Sequence, residues 1–186
     1  KQFIFGCIAE ASRPLLAEFR ARELSNLIYA FGLAEYNHEF KDGSTIFDIF
    51  AVDAISNLEN FEPQGVSNIL WAYANVKAKH SELFNGAGDR IIVHKDLSEY
   101  KPQELSNTVW AYATLETSHP LLFKKVADHI IALESLATFW PQALSNIVWA
   151  YATAKEPHPK LFKKLADHIV TLDNLRAFEA QALSNT

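Results

Sequence analysis

The chain has 186 residues and is poor in the residues that build covalent or metal-held structure. Its one cysteine, Cys7, cannot form an intramolecular disulfide and is too few for a thiolate-rich zinc site, so a reducing compartment suits it. No apolar run approaches the ~18 residues a membrane-spanning helix needs, so no membrane insertion is expected. Methionine is absent and the chain opens on Lys1-Gln-Phe-Ile-Phe, so we expect a piece of a longer protein, with any targeting segment outside it. Seventeen basic against 22 acidic residues leave a net charge of −5, so any polyanion site must be local. There is no glycine-rich phosphate loop, no nucleophile elbow and no HExxH motif.

What is present is a globular composition, 49% hydrophobic and 21% charged, organised by repetition. Gln103-Glu-Leu-Ser-Asn-Thr-Val-Trp-Ala-Tyr-Ala113 returns as Gln142-Ala-Leu-Ser-Asn-Ile-Val-Trp-Ala-Tyr-Ala152, and earlier as Gln64-Gly-Val-Ser-Asn-Ile-Leu-Trp-Ala-Tyr-Ala74. A looser copy runs from Arg22 to Gly32, and a last one is cut off at Gln181-Ala-Leu-Ser-Asn-Thr186. The steps are 42, 39, 39 and 39, the extra residues falling in a polar insertion, Tyr36 to Ser44, that carries the turn dipeptide Asp42-Gly43. Leu83-Phe84, Leu122-Phe123 and Leu161-Phe162 keep the same step, as do Asp89, Asp128 and Asp167.

Each unit reads as two helices. The first opens on Pro63, Pro102 or Pro141, where a missing N–H costs nothing, and the second opens at His119-Pro120 or His158-Pro159. In the second helix Leu122, Phe123, Val126, Ala127, Ile130 and Ile131 follow helical spacing. The first helix is apolar over most of its circumference and needs cover on several sides, which a stack of units supplies. The expected fold is all-α, an α-solenoid of two-helix repeats of about 39 residues in a right-handed superhelix. The expected units are 1–21 (partial), 22–62, 63–101, 102–140, 141–179 and 180–186 (partial), one solenoid segment over 1–186.

Residues three, four and seven apart share a helix face. One such stripe is Glu104, Asn107, Ala111 and Thr114, with equivalents Ala143, Asn146, Ala150 and Thr153, then Gly65, Asn68, Ala72 and Asn75, then Glu23, Asn26, Ala30 and Leu33. Stacked units would make a ladder of Asn26, Asn68, Asn107, Asn146 and Asn185, constant among variable neighbours. These asparagines either contact a ligand or hydrogen-bond the preceding turn or next unit, and both readings stand open. Trp71, Trp110 and Trp149, with Tyr73, Tyr112 and Tyr151, suit packing between repeats better than a stacking platform. Adjacent Asp128-His129 and Asp167-His168 point about 100° apart and form no chelating face, so no metal or cofactor is expected. Lys124, Lys125, Lys163 and Lys164 read as a solvated face, or as phosphate contacts if the second helix borders a groove. Catalysis needs one asymmetric constellation, and five copies of one motif argue against an enzyme.

The assembled pattern, Phe-x-Pro-Gln-x-Leu-Ser-Asn-x-x-Trp-Ala-Tyr-Ala with Leu-Phe about ten residues beyond, resembles the octotricopeptide- and heptatricopeptide-type helical repeats of organellar proteins. Those repeats often precede a RAP domain and are similar to the repeats of FAST-kinase-like proteins. The resemblance covers essentially the whole chain. It implies a solenoid that binds single-stranded RNA in a mitochondrion or plastid, in transcript maturation, translation or ribosome assembly. It also implies base reading near Glu104, Asn107, Thr108 and Thr114 and their equivalents. The competing reading is a protein-interaction scaffold that holds an extended peptide on its asparagines, or an accessory subunit of a large organellar complex. Glu23 and Glu104 on the stripe favour a basic peptide, whereas basic side chains there would favour RNA.

Overall fold

Within a helix proline is tolerated in the first turn, and every proline of this chain but Pro157, which lies in the loop before Pro159, stands there. In the computed structural model, which describes residues 2–171, the order is α1 (Gln2–Ser12), a 3₁₀ segment (Arg13–Glu18), α2 (Ala21–Ala34), α3 (Ile46–Ser56) and a 3₁₀ segment (Leu58–Asn60). Then follow α4 (Pro63–Asn75), α5 (Ser81–Val93), α6 (Pro102–Thr114), α7 (Pro120–Ala132), α8 (Pro141–Thr153) and α9 (Pro159–Val170). The protein is all-α, with no strand among the described residues. The first helices α4, α6 and α8 start 39 residues apart, as do the second helices α5, α7 and α9. Asn185 and the partial unit 180–186 lie outside the described residues.

The chain divides into two compact units, Lys1–Arg90 and Ile91–Thr186. In the first unit α2 packs along α4, and a Cβ placed on Gly32 would lie 2.6 Å from the Cβ of Ala72. The Tyr73 hydroxyl donates to the Phe47 carbonyl (2.6 Å) and so fastens α4 to α3, while Asn75 Nδ2 donates to the Gly32 carbonyl (3.0 Å). Burial raises the Tyr73 pKa and keeps its proton in place. Around it Phe5, Phe31, Phe47, Phe50 and Phe84 pack edge to face. The insertion closes as a turn with Gly43 at φ 82°. Asp42 is held well below the usual carboxylate range by the Ser44 hydroxyl, the Arg13 guanidinium and the Ser44 N–H.

The second unit repeats the scheme. Helix α6 packs along α8 and α7 along α9, and the Tyr151 hydroxyl donates to the Phe123 carbonyl (2.6 Å). Leu136 and Phe139 are buried between the helix pairs, as their apolar character implies.

Every first helix ends the same way. Glu35, Lys77, Glu116 and Lys155 take left-handed conformations with φ of 51–58°. The following N–H then donates back across the last turn, as from Ala78 to the Tyr73 carbonyl and from Thr117 to the Tyr112 carbonyl. Left-handed geometry costs a non-glycine residue roughly 1–2 kcal/mol, partly offset by the entropy glycine loses. Glu116→Gly is therefore expected to stabilise the protein by about 0.5–1 kcal/mol, measured as a higher urea midpoint with an unchanged m-value.

Candidate functional site

At 100° per residue, Gln103, Asn107, Trp110 and Thr114 fall within about 60° of one another, and Glu104 and Ala111 lie roughly a quarter turn away. Burial follows that geometry. Gln103 is exposed and Asn107, Trp110 and Thr114 are half-buried, whereas Glu104 and Ala111 are buried. The face that α6 shows to solvent is thus displaced by one residue from the expected stripe. On α8 the same face is Gln142, Asn146, Trp149 and Thr153. In the first unit it is Arg22, Asn26, Tyr29 and Leu33 on α2, and Gln64, Asn68, Trp71 and Asn75 on α4.

The buried positions have structural partners. The Glu104 carboxylate accepts the Lys101 N–H (2.8 Å) at the start of α6, and Thr108 Oγ1 donates to the Glu104 carbonyl (2.8 Å). Glu104, Thr108 and Ala143 are therefore withdrawn from the open face on which they were expected. Gly65 is half-buried, and a Cβ there would stand 3.3 Å from the Phe61 ring. Glu23 stays exposed, tied to the Arg20 side chain and backbone, and those bonds lower its pKa. The serines of the repeat are buried, and Ser25, Ser67, Ser106 and Ser145 each donate to a carbonyl of their own preceding turn.

The asparagines differ from those serines. Among the described residues Asn26, Asn68 and Asn107 make no side-chain hydrogen bond, and Asn146 only accepts one from Gln142 Nε2 (2.9 Å). The amides of Asn26, Asn68 and Asn107 are thus open to solvent with donors and acceptors uncommitted, and that of Asn146 keeps its donor free. Beside them Trp110 and Trp149 lie 6.5 Å apart, and Tyr29 and Trp71 5.2 Å apart, each ring packed on its neighbour yet partly open to solvent.

The lysines divide by function. Lys125 Nζ donates to the carbonyls of His94 and Lys95, and Lys164 Nζ to those of Ile131 and Leu133, so each closes the C-terminal end of the preceding second helix. These two, expected as a solvated face or as phosphate contacts, are engaged as helix caps. Lys124 and Lys163 are exposed and pair with Asp128 and Asp167. His80 and His119 accept the N–H of Leu83 and Leu122 at 3.3 Å through Nδ1, which fits their place before the second helix.

The face leads into a half-open cavity of about 910 Å³ in the second unit, lined by Lys101, Gln103, Asn107, His129, Trp140, Gln142 and Asn146. No described carboxylate lines it. Trp140, Lys101, His129 and the two glutamines were not among the expected site residues. A count begun at Gln103 instead of Glu104 would have found the glutamines. The matching cavity of the first unit is about 310 Å³ and is lined by Arg22, Asn26, Glu62, Gln64 and Asn68. No group of three or more His, Cys, Asp or Glu among the described residues is placed to hold a metal ion. No described helix is long and apolar enough to cross a membrane.

Compared with protein-family models the chain matches none, and no curated protein is significantly similar to it.

Two predictions follow from these placements. Lys125→Met with Lys164→Met should lower stability by roughly 1 kcal/mol in urea unfolding, because half-buried helix-end carbonyls lose their donors. Burial lowers the His129 pKa. The unfolded chain therefore binds this proton more readily, and stability drains as pH falls from the ordinary histidine range toward the lower folded value. The urea midpoint should drop between neutral pH and mildly acid pH, and by less in His129→Gln.

Proposed function

We propose that the chain is a segment of a right-handed α-solenoid that binds single-stranded RNA without catalysing a reaction. The setting inferred from the repeat resemblance is a mitochondrion or plastid, in transcript metabolism, translation or ribosome assembly. One observation carries this reading: α2, α4 and α6 each present an uncommitted asparagine amide, and α8 an amide with its donor free, next to a partly open aromatic ring at the same register. Amides hydrogen-bond the edges of unpaired bases and aromatic faces stack on them, which is how single strands are read. The burial of Glu104 as a helix cap removes the carboxylate that would have repelled phosphates from this face of α6.

A second reading has its own observation. Lys125 and Lys164 are engaged as caps and Lys124 and Lys163 are ion-paired, so the second helices offer few free cations for phosphates. An asparagine row beside tryptophans then also suits the backbone of an extended basic peptide.

Selection from a random single-stranded RNA pool, repeated across a salt series, separates the two. Enrichment of a short motif with a negative salt slope supports the RNA reading. No retention at low salt, with capture of basic peptides from a synthetic library, supports the scaffold. For an RNA reader, Asn107→Ala with Asn146→Ala should weaken binding roughly 5- to 100-fold, the loss of two hydrogen bonds, with little change in the melting temperature. A large fall in melting temperature would show the amides to be structural.

A further inference from the structure

We propose that the cavity at the opening turns of α6 and α8 holds one unpaired nucleobase, stacked on Trp140, with an adjoining phosphate on Lys101. The proposal rests on the RNA reading and assigns that strand a particular subsite.

Trp140 is 79% exposed. It occupies the N-cap position of α8, where Arg20, Glu62 and Lys101 stand in the other first helices. An indole supplies no acceptor for a helix N-terminus, and its exposure means that it contributes little to the core. Neither helix formation nor packing accounts for it. Its backbone is extended at φ −68° and ψ 154°, the conformation that the following Pro141 favours, so the ring is carried on a fixed support. A large aromatic surface on such a support is what base stacking uses.

The walls beside it match a base and its phosphate. The Gln142 Nε2 bond to Asn146 Oδ1 (2.9 Å) leaves the Gln142 carbonyl as acceptor and the Asn146 Nδ2 as donor. Neighbouring donor and acceptor groups are what the edge of an unpaired base presents. Among the described residues the ionisable side chains on the cavity wall include Lys101 and His129 and no carboxylate, in a chain whose net charge is −5. This is a place where the acidic chain can receive a phosphate. The smaller cavity of the first unit has Glu62 in its wall and no exposed aromatic at this register, so the subsite belongs to α6 and α8 and not to every repeat.

The test is fluorescence anisotropy of a short, labelled random-sequence RNA pool with the whole chain and with Trp140→Ala, Trp140→Phe and Lys101→Ala. Trp140→Ala should bind about 5- to 150-fold more weakly, the effect of one stacked base, and Trp140→Phe should recover most of that loss. Lys101→Ala should reduce the salt slope by about one. Melting temperatures should match the wild type, since both side chains are exposed. Equal binding by wild type and Trp140→Ala would overturn the subsite and leave the RNA reading standing. Failure of the wild type to bind the pool at low salt would overturn both. A Trp140→Phe variant as weak as Trp140→Ala would overturn stacking as the mode of contact.

Discussion

The close approach of one first helix to the next, across residues with no side chain beyond Cβ, is the constraint on which the rest depends. Gly32 meets Ala72 with no room for another methyl group, and Ala72, Ala111 and Ala150 are fully buried. Helices that touch through such small residues run close together, so longer side chains must leave the seam on either side. On the inner side the tyrosines turn inward to the second helices. On the outer side tryptophans and Tyr29 cover the seam, and the asparagines beside them remain in contact with solvent. The packing requirement and the open asparagine face are two sides of one helix arrangement.

Ties between successive helix pairs reuse a few devices. A tyrosine hydroxyl reaches a phenylalanine carbonyl one helix back, and a lysine reaches the open end of the preceding second helix. The tyrosine bond meets a buried acceptor in the neighbouring element, where an unmet acceptor would be costly, and the lysine bond meets half-buried ones. The lysine device is not universal: Gly86 occupies that register in α5, and a Cβ there would collide with Leu58.

Much of the fold was legible in the sequence because proline and periodicity are physical signals. Pro63, Pro102 and Pro141 do open helices, and the 39-residue step is the spacing of the helix starts. The phase of the exposed face was not legible. Glu104 stands at a position where a carboxylate either faces a ligand or accepts the N–H of its own helix start, and the sequence is the same in both cases. Ala111 likewise reads as a small groove residue or as a seam residue, and only the neighbouring helix decides. The paired lysines look alike in the sequence, yet Lys124 is solvated and Lys125 is a cap. The left-handed helix ends were hidden because Glu and Lys occupy them where glycine would have announced the turn. Trp140 was not legible because it fills the variable position of the Phe-x-Pro start of the motif, where repetition gives no clue to its setting.

The hydroxyl anchor is missing at one seam. Phe31 stands where Tyr73 and Tyr151 stand in later copies, and it meets Phe5 of α1 only ring to ring, at 5.1 Å. Ring contact survives small sliding motions that would break a directed hydrogen bond, so α1 can shift on α2 at lower cost than α3 can on α4. Its backbone amides should then exchange with deuterated solvent ahead of those in α3 and α7, so that neighbouring helices differ in stiffness.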